Sequence, residues 1–150
     1  MARQKNALRG HFIAPVTDPK TEPAKEAYKE LAKWIEDVDD DTDEATTSVA
    51  YYDGDGTEET TVTSVKGSYT FKGTYDKEDE AMALIAGLKY KLGNDRLIWH
   101  KVVDSDGKNQ HVGIATVSAI KAGSGAAANY EEFSCKISYN SLPKTTAVVG

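Results

Sequence analysis

The stretch SYTFKGTYDKEDEAMALIAGLKYKLG, Ser68 to Gly93, changes its period halfway along, and that change decides the fold. From Ser68 to Tyr75 the residues alternate. Tyr69, Phe71, Gly73 and Tyr75 fall on one face, while Ser68, Thr70, Lys72 and Thr74 fall on the other. An antiparallel strand with one buried and one wet face has this pattern. From about Lys77 to Leu92 the period becomes helical, and Met82, Ile85, Leu88 and Leu92, with Leu84, form one apolar stripe. Asp76 is placed to cap the first amides, Glu78, Asp79 and Glu80 suit the positive end, Lys89 and Lys91 the negative end, and Gly93 ends the segment. A striped helix next to a half-apolar strand must bury its stripe on the sheet, so Met82 reads as core filler and not as a metal or redox residue.

Outward from this pair the chain is rich in strand chemistry. Thr46 to Tyr52 and Thr60 to Lys66 precede it, both dense in Thr, Val and Tyr. After it, Leu97 to Val103 and His111 to Ile120 flank the loop Asp104 to Gln110 as a hairpin. Glu132 to Tyr139 alternates again, with Phe133, Cys135, Ile137 and Tyr139 inward. The expected fold is mainly β with some α: an antiparallel β-barrel or sandwich with one flanking helix over about 77–92.

The N-terminal third reads differently. Residues 1 to about 20, through Pro15 and Pro19, have no period and predict an extended arm. From Glu22 to Ile35, Tyr28, Leu31, Trp34 and Ile35 stand three and four apart, and Lys25, Lys29 and Lys33 alternate with Glu26 and Glu30, which predicts a short N-terminal helix. Glu36 to Glu44 holds seven acids and no base, which predicts a solvated loop. The tail from about 141 to 150 has little anchoring pattern, as a frayed segment or one docked on a neighbour would.

The 150 residues suit a single domain with one core. The longest apolar runs, such as Ala81 to Leu88, fall far short of the ~20 residues that cross a bilayer, and no charged-then-apolar leader is present, so neither membrane embedding nor export is expected. A lone cysteine, Cys135, fits a reducing compartment. The net charge of −6 resides in the acidic run, whereas Arg3, Lys5 and Arg9 begin the chain without an acid. Such a basic end reads more readily as solvated than as a nucleic-acid contact, because no basic stripe with interleaved aromatics accompanies it.

Traces of catalysis are absent. His11, His100 and His111 lack the spacing of a helical metal pair and read as arm and wet-edged strand positions. The Gly-Ser-Gly at Gly123 to Gly125 precedes no strand-to-helix turn, and no loop ends in the Lys-Ser or Lys-Thr of a phosphate cradle. Asp39, Asp41 and Asp43 imitate the first ligands of an EF-hand, but Glu44 replaces the required Gly and Ala50 the bidentate Glu. No enzyme, cofactor or metal site is expected.

Five segments in their order carry a family likeness: YYDGDG at Tyr51 to Gly56, SYTFKGTYD at Ser68 to Asp76, LIAGLKYKLGNDR at Leu84 to Arg96, WHKVVDSDGK at Trp99 to Lys108, and FSCKISYNSLP at Phe133 to Pro143. Over Ala50 to Pro143 the chain resembles the major tail tube protein of long-tailed bacteriophages, particularly those of Gram-positive hosts. The resemblance implies a virion tail protein, assembled in the host cytoplasm from homo-hexameric rings that stack into a hollow tube. It implies tape-measure and other tail proteins as partners, and genomic DNA passing through the lumen without specific binding.

Polar, Gly- or Pro-punctuated segments without a core-facing period are the expected assembly surfaces: both ends and the Asp53 to Glu59 turn. Arg3, Arg9, Phe12, Asp53, Asp55, Thr57, Glu59, Leu142 and Pro143 are the interface residues this selects. Two other readings compete. One is the inner tube of a contractile tail or of a type VI secretion system; the other is a small adhesion or carbohydrate-binding β-sandwich with Trp34 and Trp99 as stacking platforms, although Trp99 suits a core better.

Overall fold

The computed structural model describes residues 3, 5–18 and 20–148. These hold ten strands and one α-helix: β1 (Gly10–Pro15), β2 (Lys29–Glu30), β3 (Ile35–Asp40), β4 (Asp43–Val49), β5 (Glu59–Lys66), β6 (Ser68–Thr74), α1 (Glu80–Ala86), β7 (Leu97–Val103), β8 (Asn109–Ala122), β9 (Glu132–Tyr139) and β10 (Lys144–Ala147). Eight of the strands make one antiparallel half-barrel sheet in the order β2-β1-β7-β8-β9-β6-β3, with β10 added to β8. The strands β4 and β5 pair only with each other, as a separate two-stranded ribbon.

The alternating strands follow their sequences except at one end, where Ser68 and Ser138, expected on the wet face, are both buried with their hydroxyls 3.2 Å apart. On β6, Phe71 is fully buried and Lys72 exposed, and on β9 Phe133, Cys135 and Ile137 point inward. With Ile13, Ile98, Val117 and Tyr139 they form a continuous core, closed by Ala81, Met82, Ile85 and Leu88 from the helical segment. A second cluster, Ala14, Tyr28, Trp99 and Val112, is packed by Phe12, Val16, Ala27 and Ile114. In β1 and β7, consecutive residues from Ile13 to Ala14 and from Ile98 to Lys101 are all buried, so both faces of these strands are covered. Trp99 is core, as its apolar strand predicts.

The helix is shorter than its sequence pattern. It spans Glu80–Ala86, with Asp79 as N-cap accepting from the Met82 amide at 3.3 Å. Asp76 instead accepts from the Glu78 amide at 3.0 Å and from Trp34 Nε1 at 3.1 Å. Gly87 is the C-cap, and beyond it the chain continues in tight turns, so the stripe ends at Leu88 and Leu92 is 83% exposed. A glycine inside a helix costs about 1 kcal/mol relative to alanine. Arg96 then takes over the role expected of the lysines, donating to the Lys91 carbonyl at 2.8 Å and to that of Lys89.

The N-terminal expectations fail in an instructive way. Gly10–Pro15 is not an arm but a strand between β2 and β7, with Ile13 opposite His100 and Ala14 opposite Trp99. The helix over 22–35 does not form; a 3-10 turn at Lys25–Ala27 leads into β2, and the Leu31 amide donates to the His11 carbonyl at 2.8 Å. The helical spacing of Tyr28, Leu31 and Trp34 is coincidental, since Tyr28 enters the second cluster, Leu31 the main core, and Trp34 turns out at φ 66°. Backbone pairing with β1 outweighs a weak local propensity. Trp34 can turn this way because Gly73 lies beneath it: a Cβ there would stand 2.1 Å from the Trp34 carbonyl oxygen.

The acidic run is likewise strand and not loop. It supplies β3, which β6 opposes with Lys72 against Asp37 and Thr70 against Asp39, and the start of β4, where β5 sets Lys66 against Asp43. Asp41 accepts from Thr70 Oγ1 at 2.8 Å and lies 3.8 Å from Lys136 Nζ. The side chains stay solvated while the backbone pairs. The C-terminal tail is anchored too, since Lys144–Ala147 runs antiparallel to Asn109–Val112 of β8.

Candidate functional site

The β4–β5 ribbon is the part of the molecule without a core. Its register runs from Asp43 opposite Lys66 to Val49 opposite Glu59, with a bulge between Ala45 and Thr46, and every residue of both strands is exposed. The sequence is suited to pairing, being rich in Thr and Val, with Ser48 and Thr60 hydroxyls 3.0 Å apart across the ribbon. Pairing is all it has. A two-stranded ribbon with no packed face is marginally stable in water, and this one also leaves Val49, Tyr51, Val62 and Val65 about half exposed, with Tyr52 projecting fully. Apolar side chains gathered on a ribbon with two unpaired edges are a surface made to be covered.

Four of the sequence-selected interface residues lie at the ribbon's tip. Asp53, Asp55 and Thr57 are in the turn and Glu59 opens β5. The turn is ordered by its own bonds: the Gly54 amide donates to the Tyr51 carbonyl at 3.2 Å, the Thr57 amide donates to Asp55 Oδ1 at 2.9 Å, and Gly56 takes φ 89°. Hydrogen bonds from the Thr57 side chain and backbone hold the Asp55 carboxyl below its usual range. Sequence reading places strands at Thr46 to Tyr52 and Thr60 to Lys66; what it missed is that they pair only with each other and stand exposed behind the tip. The trace of this was there, in strands that carry valine and threonine but none of the large residues that fill β6, β7 and β9.

The remaining selected residues are scattered. Arg3 and Arg9 are exposed. Phe12 is not on a free arm: it sits in β1, packs on the second cluster and has Lys101 Nζ 5.0 Å above its ring, so the ground for assigning it to an interface is gone. Leu142 is 68% exposed, whereas Pro143 packs over Gly113 in the link from β9 to β10. The structure thus brings together the tip residues, while Arg3, Arg9, Phe12, Leu142 and Pro143 lie outside the ribbon.

The chain's histidines divide. His111 is half-exposed and bonded to Thr145 at 2.8 Å and Asp104 at 3.1 Å. His11 and His100 are neither arm nor wet-edge residues, because both are buried in the concave core. No three metal-ligating side chains among the described residues are placed around a common point. Of the two tryptophans, Trp34 is exposed and bonded to Asp76 while Trp99 is buried, so they do not form a joint stacking platform. A cavity of about 290 Å³ lies beside Arg9, His11, Ile35, Asp40 and Tyr69. A second of about 470 Å³ lies beside Phe12, Glu22, Tyr28 and Lys101.

No family model matches the sequence, and no curated protein matches it. Solved structures do. A chain from the tail of an empty gene transfer agent particle, determined with helical refinement and C6 symmetry, overlays with a TM-score of 0.68 at 12% identity, covering 97% of this chain and 100% of that one. A chain from the virion of a native gene transfer agent particle overlays with a TM-score of 0.70 at 10% identity and the same coverage. At these identities the likeness is one of fold, and it extends over the whole of both matched chains.

Proposed function

We propose that this protein is the repeating subunit of a phage-like tail tube, closing into rings of six that stack around a lumen through which DNA leaves the particle. The observation that carries the reading is the β4–β5 ribbon, exposed on every residue and therefore in need of a second surface. The end-to-end fold likeness to a chain from a C6-symmetric tail supports a copy of the same chain as that surface, and six as the ring number. Edge strands give the same direction. The half-barrel ends in β2 and β3, and pairing such edges between neighbours satisfies backbone groups that otherwise face water.

An acidic subunit suits a DNA conduit, because Lys and Arg on phosphates would hold the cargo. The tape-measure and other tail proteins would meet the tube at its lumen and ends, and the finished tube would belong to the virion tail. The test is sedimentation and negative-stain imaging of the purified chain over a range of concentration and salt. Rings or tubes are expected from the full chain. The Asn-Gly replacement of Asp43–Lys66, which closes the ribbon at its base where those two residues face each other, should stay folded and fail to assemble. A full chain that remains monomeric throughout, or a ribbonless chain that still forms tubes, contradicts the proposal.

A further inference from the structure

On the concave side of the sheet, His11 of β1 and His100 of β7 stack almost parallel, with ring centroids 5.6 Å apart and planes 8° from coincident. Aromatic rings enclose the pair: Tyr69 stands 5.2 Å and Phe71 5.0 Å from His11, and Tyr139 5.3 Å from His100. His100 is fully buried and His11 is 6% exposed. A neutral imidazole has one N–H to donate and one nitrogen to accept with. Nδ1 of His11, both ring nitrogens of His100 and the Tyr139 hydroxyl have no hydrogen-bond partner among the described residues. An unsatisfied buried polar group weakens the fold, and an unpaired buried charge weakens it far more.

The surroundings give the buried ring nitrogens no hydrogen-bonded acid among the described residues. The tyrosines Tyr69 and Tyr139 face the pair from β6 and β9, and burial raises the pKa of both hydroxyls, so they remain neutral. From β8, Gly113 lies opposite His100, and from α1 the core side is Ala81, Met82 and Ile85. The Arg9 cation opposes protonation of His11. Three carboxylates, Glu36, Asp37 and Asp40, line the cavity that reaches His11, and Asp104 is bonded to His111, but none is hydrogen-bonded to His11 Nδ1 or to either ring nitrogen of His100.

We infer that the stacked His11–His100 pair is an acid-sensitive lock, holding β1 against β7 while both rings are neutral and releasing β1, with β2 beside it, when a ring gains a proton. The cavity of about 290 Å³ that reaches His11 gives water and protons their route to the pair. This inference concerns the single subunit and does not depend on the tail-tube reading.

Burial, with the charge of Arg9, lowers His11 from the ordinary 6.5 to about 4, and burial, with His11, lowers His100 from 6.5 to about 3. Both folded values lie below the unfolded one. Between about pH 6.5 and 4 the unfolded chain therefore binds protons that the folded chain does not, and stability present above pH 6.5 is lost as the pH falls. Each ring raises the unfolding constant by up to about tenfold per pH unit, so the pair gives up to about a hundredfold.

The test is urea unfolding of the full chain at pH 7.5, 6.5, 6.0, 5.5 and 5.0, above the usual carboxylate range. The unfolding constant should rise by about ten- to a hundredfold between pH 6.0 and 5.0. His100→Leu should flatten that rise by about tenfold, and His11→Leu with His100→Leu should leave it nearly flat. A pH-independent wild type, or a double variant with the wild-type slope, overturns the lock. Should the variants fail to fold, ring resonances of the wild type decide: both core rings should keep neutral chemical shifts in the folded form down to pH 5. Reversible titration of either ring near pH 6.5 in an intact fold overturns it.

Discussion

Strands β5 and β6 are separated only by Gly67 and are opposite in circumstance. Every residue of β5 is exposed, whereas Ser68, Phe71 and Gly73 of β6 are buried. Both are rich in residues that favour extended backbone. The difference is in what stands on the pleat, since β6 offers Tyr69 and Phe71 to the core while β5 offers two valines with nothing above them. Strand propensity makes a strand; bulky residues on one face decide whether the subunit itself can bury it.

Substitutions on the two strands separate their roles. The largest effect is expected on the buried side, where Phe71→Ala should destabilise the subunit by ~3–5 kcal/mol, as truncating a buried Phe does. Chemical denaturation measures it. A loss close to that of a surface change would mean the concave core is not packed around β6. Gly73→Ala, on the same strand, should also lower the melting temperature strongly, because its methyl would meet the Trp34 carbonyl at 2.1 Å. Unchanged melting would show that Trp34 is free to move away.

A middle value is expected at the helix start. Asp79→Ala removes the acceptor of the Met82 amide and should cost ~1 kcal/mol, while Asp76→Ala should leave the helix start in place, as Asp76 does not cap it. The smallest effect on the free subunit belongs to the ribbon, where Val62→Ala should change stability by less than ~0.5 kcal/mol. The same substitution should slow tube growth, measured by light scattering, if the ribbon is covered only on assembly.

How legible all this is from sequence follows the same division. β6, β7 and β9 could be read because bulky residues recur on one face and turn residues bound them. The helix could be read for its stripe but not its length, since Gly87 is tolerable inside a helical pattern as well as at its end, and the reach of Arg96 to the carbonyls of Lys89 and Lys91 is a tertiary fact. β1 and β2 were hidden because each is short, lies near a proline or charged residues, and forms only when the other and β7 are present. The acidic strand β3 was hidden by its charge, which says that side chains are solvated and nothing about the backbone. At the ribbon, turn chemistry points to the tip residues Asp53, Asp55, Thr57 and Glu59, while the tyrosines and valines behind them look like ordinary strand residues. The buried histidines carry no sequence signal beyond their place on strands.

Amide hydrogen exchange on the full chain, dilute and then concentrated into assemblies, addresses the ribbon most directly. The account predicts that amides of Asp43–Val49 and Glu59–Lys66 exchange fast in the dilute subunit, far faster than those of β6 and β9, and become protected when tubes form. Ribbon amides already as slow as those of β6 in the dilute subunit, or still fast at every concentration, would contradict it.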